Sequence, residues 1–222
     1  MMEKNIYTAK ELPITDYLMT FKDDLIRDFL AYHTDFDQET MSKVIDVKSG
    51  GRNVDFLKTS KSAWRSQPLL YRYAPDGNIL EQYKQYKDFF PTAFKIIEEF
   101  KDQLGIVNYS ILEPNSAILR HTDYENRTGI YLRIHLPLIV PPGDIFFEVD
   151  GEEVNWNKPF GFNNQKVHSA CNNTPNRRMI FLIDIKRSFL GLPPGQPWRP
   201  KDEFLAKPFV RKTKEIPPNS VN

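Results

Sequence analysis

The chain reads as a mainly β protein, an antiparallel sandwich or jelly roll flanked by helices, so an α+β architecture in which the helices come first. Three observations predict it. The apolar period switches from helical to strand-like after Gly105. Short runs rich in β-branched and aromatic residues follow, punctuated by Pro, Gly and Asn. No repeat of about 20–50 residues marks a solenoid or propeller. A length of 222 residues suits one structural domain with decorations. Within it we distinguish an N-terminal helical or mixed region packing on the core (1–105), a β core (106–187) and a Pro-rich C-terminal tail (188–222).

From Asp16 to His33, the residues Leu18, Phe21, Leu25, Ile26, Phe29 and Leu30 recur at three- and four-residue steps, which predicts one amphipathic helix. His33 then reads as a solvated C-terminal cap. The turn signal Ala74-Pro75-Asp76-Gly77 opens a second helical region near Asn78, interrupted by Pro91 and resumed through Phe94, Ile97, Phe100 and Leu104. Strand-like runs are expected at 107–112, 117–121, 130–140, 144–150, 153–156 and 177–185. Seven of the seventeen prolines fall after Ser188, so the tail is neither a regular helix nor a central strand and is expected to wrap over the body or stay mobile.

Thirty basic and twenty-nine acidic residues leave a net charge of +1, which gives no global electrostatic case for nucleic acid or an anionic membrane. A single cysteine, Cys171, excludes an internal disulfide framework and a cysteine-rich zinc site and is expected to be a buried small residue. The first ten residues lack an apolar signal region, and no stretch reaches the ~18 apolar residues needed to span a bilayer. The expectation is a cytoplasmic protein.

Three of the four histidines, His121, His135 and His168, lie in the β-rich region. In His121-Thr122-Asp123 the period of a strand puts an imidazole and a carboxylate on one face, where they could grip one ion. Alone, that tripeptide equally describes a surface pair. His168 follows after enough chain to return on a neighbouring strand, and two imidazoles with one carboxylate form the facial arrangement used for non-haem Fe(II). In the run 130–136 the even positions are apolar, while Tyr131, Arg133 and His135 share the other face. If that face is interior, the charge of Arg133 must be met by an opposite one; otherwise it is a solvent-facing edge. Arg178 opens the apolar run 179–183 and offers a fork for the far carboxylate of a dicarboxylic co-substrate, unless it only solvates the strand end or Arg177 takes the role. Trp64, Trp156 and Trp198 read as packing residues, with Trp64 a candidate for a pocket wall.

These pieces together resemble the aspartyl/asparaginyl β-hydroxylase family of Fe(II)- and 2-oxoglutarate-dependent oxygenases. The resemblance rests on Tyr109-Ser110-Ile111-Leu112, His121, Arg133-Ile134-His135-Leu136, His168, and Arg178 with the apolar run ending at Asp184. It implies a double-stranded β-helix, the cupin-like jelly roll. It implies that His121 and His168 bind iron, that Arg178, His135 and Ser110 hold 2-oxoglutarate, and that O2 is the oxidant. Arg133 matches an arginine near the substrate carboxylate, and Tyr131 stands where the family has another arginine. Asp123 stands where the animal aspartyl hydroxylases have glycine, which restores a full two-His-one-carboxylate set and favours hydroxylation over halogenation. Phe162-Asn163-Asn164 carries amides where the family has an acidic pair, and the loop through 124–129 is a few residues longer.

The implied function is hydroxylation of a C–H bond in a free amino acid or peptide-like small molecule, releasing succinate and CO2. Two alternatives stand beside it: hydroxylation of an aspartyl or asparaginyl side chain in a protein, and a cupin-like module that binds a metal or carboxylate without turnover. No nucleic-acid or membrane partner is expected.

Overall fold

Apolar side chains at alternate positions of two long strands decide where the layers meet. In a computed structural model, which describes residues 4–33, 64–72, 81–123 and 128–195, these strands are β5 (Tyr131–Ile139) and β10 (Arg178–Lys186), paired antiparallel. Leu132, Ile134, Leu136 and Leu138 of β5 and Met179, Phe181, Ile183 and Ile185 of β10 pack on one side, against the helices. The other side carries Arg133, His135, Arg178 and Asp184, all buried. Burying charge on that side requires partners from within the chain or from a ligand.

The remaining strands are β1 (Ile6–Thr8), β2 (Trp64–Tyr71), β3 (Leu104–Leu112), β4 (Ser116–His121), β6 (Ile145–Val149), β7 (Glu152–Val154), β8 (Phe160–Phe162) and β9 (His168–Asn172). They form a six-stranded sheet, β1-β8-β5-β10-β3-β2, and a four-stranded sheet, β4-β9-β6-β7, with every pairing antiparallel. From β3 to β10 the chain alternates between the sheets except at the β6–β7 hairpin, which is the winding of a double-stranded β-helix. A second apolar cluster, with Leu112, Ile118, Phe147, Val149, Trp156, Phe160, Phe162 and Ala170, fills the space between the sheets. The N-terminal region therefore supplies both edge strands of the large sheet, β1 and β2, as well as its helices.

The expected helix over 16–33 divides into α1 (Ile14–Met19) and α2 (Lys22–Tyr32), with the break at Thr20 and Phe21. Pro91 does not interrupt a helix. It opens α3 (Pro91–Glu99) at a position where its missing N–H costs nothing. The buried carboxylate of Asp28, on α2, accepts the Thr92 N–H at 2.9 Å and so caps α3 across the helix pair. A 3-10 segment, Glu81–Tyr86, precedes it. The Ala74 turn and the helix start near Asn78 lie outside the described residues.

Sequence patterning missed β1, β2, β8 and β9. Pro68 interrupts β2, yet β2 is an edge strand and its pairing slips between Pro68 and Leu70, where a missing N–H is tolerated. Gly161 interrupts β8, because a Cβ there would lie 2.6 Å from Leu12 Cδ1 and 2.7 Å from Leu132 Cδ2. The start of the tail does wrap: Leu190 and Leu192 pack on the helix-side core, and the Gly195 N–H donates to the Gly129 carbonyl at 2.9 Å. Residues 196–222, with Trp198, are outside the described set. Two expectations fail on burial. His33 does end α2 but is only 7% exposed, packed against Phe29, Tyr32 and Phe90 rather than solvated. Cys171 is half-buried, with its Sγ 3.0 Å from Asn173 Oδ1. Among the described residues, no helix is long and apolar enough to cross a membrane.

Candidate functional site

Strands β4 and β9 lie side by side in the small sheet, with His121 directly opposite His168. Their rings are 4.2 Å apart between centroids. Asp123 follows on the chain leaving β4, and its backbone N–H is held by the Asn164 carbonyl at 2.9 Å. One ligand atom from each of His121, Asp123 and His168 lies within 4.8 Å of the other two, so the three could hold one metal ion. The Nδ1 of His168 is 2.8 Å from the Lys166 carbonyl, which can only accept, so Nδ1 carries the hydrogen and the Nε2 lone pair is left for a cation. Burial, reinforced by neighbouring His121, pushes the His168 imidazolium down to about 3, which keeps the ring neutral as a ligand must be. Burial alone would raise the Asp123 carboxyl. Arg133, with His168 and His121, outweighs it and holds the group well below the usual carboxylate range.

The large sheet supplies the facing wall. Arg133 on β5 donates from Nε and Nη2 to the two oxygens of Asp184 on β10, at 2.8 and 2.9 Å, and from Nη1 to Asp123 Oδ2. The expectation that a buried Arg133 must meet opposite charge is thus answered inside the chain. Arg133 lies between two protein carboxylates, because the strand register sets Asp184 directly across from it. Asn164, where the resemblance anticipates an acid, sets its Nδ2 3.4 Å from Asp123 Oδ2. An amide can donate there, whereas a second carboxylate would repel Asp123. Tyr131 is buried where a Cβ on Gly105 would lie 3.1 Å from its ring and 3.3 Å from Asp184 Cβ.

Arg178 is 1% exposed, and its Nε and Nη1 have no hydrogen-bond partner among the described residues. Its guanidinium lies over the Trp156 ring at 3.6 Å, a cation–π contact that orients the fork without neutralising it. Burial disfavours the charged form and pushes the guanidinium well below its ordinary pKa. Arg177 is instead paired with Glu113 at 2.8 Å. His135 is stacked near Trp156 and ringed by Phe147, Phe160 and Phe162, and its Nδ1 also lacks a partner among the described residues. Burial, then the Arg178 charge, keeps that ring neutral. Ser110 on β3 is opposite Ile180, two positions from Arg178 on the same face of the sheet, and its Oγ accepts the Trp64 indole N–H at 2.6 Å.

The site is therefore a cation-ready cluster on one sheet facing an anion-ready guanidinium on the other. The family described as Aspartyl/Asparaginyl beta-hydroxylase matches residues 25–188 of this chain. The chain belongs to the aspartyl/asparaginyl β-hydroxylase family. No curated protein matches it in sequence. Among solved structures, an oxidoreductase of the 2OG-Fe(II) oxygenase family from Burkholderia pseudomallei is 10% identical, over 63% of this chain and 73% of that one, with a TM-score of 0.38. A predicted oxalate decarboxylase from Thermotoga maritima is 15% identical over 40% and 73% of the two chains, with a TM-score of 0.31. A protein with a double-stranded β-helix domain from Klebsiella pneumoniae is 12% identical over 36% and 66%, with a TM-score of 0.28.

Family membership supports hydroxylase chemistry for this site. Residue patterning did not single out Asp184 as part of it, nor a role for Trp156. For Asp184 a signal existed: it is the only acid in an apolar strand, and it occupies the same face as Arg178. Trp156 lies on the chain between β7 and β8, and no local pattern connects it to Arg178.

Proposed function

We propose that this member of the aspartyl/asparaginyl β-hydroxylase family is an Fe(II)- and 2-oxoglutarate-dependent dioxygenase that hydroxylates a C–H bond of a free amino acid or peptide-like small molecule. The observation that carries the reading is the convergence of His121, Asp123 and His168, together with a buried arginine whose hydrogen-bonding capacity is unmet among the described residues. The donor set of two imidazole nitrogens and one carboxylate suits Fe(II) and leaves open positions on an octahedral ion. Iron bound there supplies oxygen activation, coupled to conversion of 2-oxoglutarate into succinate and CO2.

The chain's own residues do the rest. His121, Asp123 and His168 hold the cation. Arg178 binds the distal carboxylate of 2-oxoglutarate through its fork, with the Ser110 hydroxyl and the neutral His135 ring as further hydrogen-bonding groups. Phe147, Phe160, Phe162 and Trp156 exclude water around that carboxylate, and the low dielectric strengthens its pairing with Arg178. A single half-buried thiol and the absence of any disulfide among the described residues suit a reducing compartment, in keeping with a cytoplasmic enzyme.

The test is succinate formation from 2-oxoglutarate by purified protein with Fe(II) and ascorbate, alongside calorimetric binding of Mn(II) and 2-oxoglutarate. His121→Ala should abolish metal binding and Arg178→Ala should abolish 2-oxoglutarate binding. A wild-type protein that binds neither ligand overturns the reading. Incubation with amino acids and with lysate, followed by a mass search for one added oxygen, identifies the substrate; the oxygen appearing on a protein side chain would select that alternative.

A further inference from the structure

Asp184 has no role in the reaction as proposed, yet it is among the most deeply placed charges in the molecule, fully buried in β10 between Ile183 and Ile185. Its carboxylate takes two parallel hydrogen bonds from Arg133, Nε to Oδ1 at 2.8 Å and Nη2 to Oδ2 at 2.9 Å. That occupies one edge of the guanidinium and turns Nη1 toward Asp123. Asp123 in turn divides its oxygens. Oδ1 is 3.5 Å from His121 Nε2, while Oδ2 meets Arg133 Nη1, Asn164 Nδ2 at 3.4 Å and His168 Nε2 at 3.7 Å.

We propose that Asp184 and Arg133 are positioning residues that orient the metal-binding carboxylate: Asp184 fixes Arg133 so that it presents one N–H to one oxygen of Asp123 and leaves the other oxygen for the cation. The inference rests on the reading of His121, Asp123 and His168 as metal ligands. The physical case is one of competition for charge. A buried guanidinium must have a counterion, and among the described residues Arg133 has Asp184 and Asp123 within reach. With Asp184 in place, the side edge of the fork is engaged and only Nη1 faces the site. With Asp184 neutralised, the strongest remaining acceptor is Asp123, and a fork would take both of its oxygens in parallel, the geometry guanidinium and carboxylate prefer. The metal would then have to displace an arginine. Lysine at 133 keeps the charge but cannot span the two carboxylates, so it too would leave Asp123 poorly oriented.

The experiment is a cycle of variants in the full chain, titrated with Co(II) alone and read by calorimetry and by the visible absorption of bound cobalt, with far-UV circular dichroism as the check on folding. Asp184→Asn is expected to weaken Co(II) binding by ~10–100-fold and to change the cobalt spectrum. The same substitution placed on Asp123→Ala is expected to cost nothing further, because the carboxylate it acts through is gone. Should Asp184→Asn fail to fold, Arg133→Lys takes its place in the cycle with the same expectation. Unchanged Co(II) affinity and spectrum in the folded single variant would falsify the proposal, and so would an equal loss in both backgrounds, which marks a merely structural role. Wild-type protein that takes up no Co(II) ends the metal reading itself, and this inference with it; wild-type binding with an indifferent Asp184→Asn ends the inference alone.

Discussion

A buried guanidinium with two nitrogens unpaired among the described residues is a local instability that an anionic ligand would remove. Arg178 is in this position, stacked on Trp156 and flanked by the aromatic rings around His135. Breaking or omitting one half of a buried ion pair costs several kcal/mol, while replacing the charge by an apolar side chain of similar length is neutral or stabilising. Arg178→Met is therefore expected to raise the unfolding free energy of the ligand-free protein by about 1–3 kcal/mol and to abolish 2-oxoglutarate binding. Urea denaturation and calorimetry check the two halves, and a variant that unfolds at lower urea would show that the arginine already has its counterion. Arg178 was conspicuous in the sequence as a charged residue opening an apolar strand shortly after a candidate metal histidine. The true partners of Arg133 were legible only as a requirement. That some carboxylate must meet it followed from burial, but which one depended on the register that sets Asp184 across from it, and register is a property of paired strands.

Elements were legible where the apolar period ran long enough. The strands near β3, β5 and β10 stand out because each carries nine residues of alternating or continuous apolar character. Three-residue strands such as β1 and β8 carry too few positions for a period to show. The helical region was legible as helix but not as two helices, since the apolar spacing continues across the break at Thr20 and Phe21. The end of α2 was misread, because exposure of a terminal residue depends on what packs over it. There His33 lies against Phe29, Tyr32 and Phe90, its Nε2 without a partner among the described residues. Burial pushes its imidazolium down from the ordinary 6.5 to about 4, against a smaller opposing effect of a hydrogen bond with Gln67. Above pH 6.5 the ring is neutral in both folded and unfolded chains and costs nothing. Between 6.5 and 4 the unfolded chain takes up a proton that the folded chain refuses, so stability falls with falling pH and levels off below the folded value. The full shift sets an upper bound of about 3 kcal/mol on the loss from this one group, reduced by solvent screening. His33→Phe should remove that part of the acid destabilisation, seen as a flatter dependence of unfolding free energy on pH between 7 and 4 than in the wild type. A parallel dependence would place the wild-type imidazole in contact with water.

At the scale of the whole molecule, the two cores are unequal. The large sheet is buried on one side by three helices and on the other by the small sheet, whereas among the described residues the small sheet meets the rest through the smaller inter-sheet cluster, the ion pairs of the site and hydrogen bonds such as those from Asn172 to the Leu112 and Glu113 carbonyls. Local openings follow the density of buried apolar contact, so β4, β9, β6 and β7 should exchange their amide hydrogens faster than β3, β5 and β10 in the ligand-free protein. The proposed metal would tie β4 to β9 through His121 and His168, and Asp123 ties the same point to β5 and β10 through Arg133 and Asp184. A ligand that binds only the closed arrangement stabilises it by mass action, by about 2.7 kcal/mol at a concentration one hundred times its dissociation constant. Exchange measured with Mn(II) and 2-oxoglutarate, in the absence of oxygen turnover, is therefore expected to slow most in β4 and β9 and little in β3 and β10, whose openings are already limited by the helix-side core. If protection instead rises evenly across both sheets, the site does not act as the clasp between them, because ligand binding would then be coupled to global unfolding and not to separation of the small sheet.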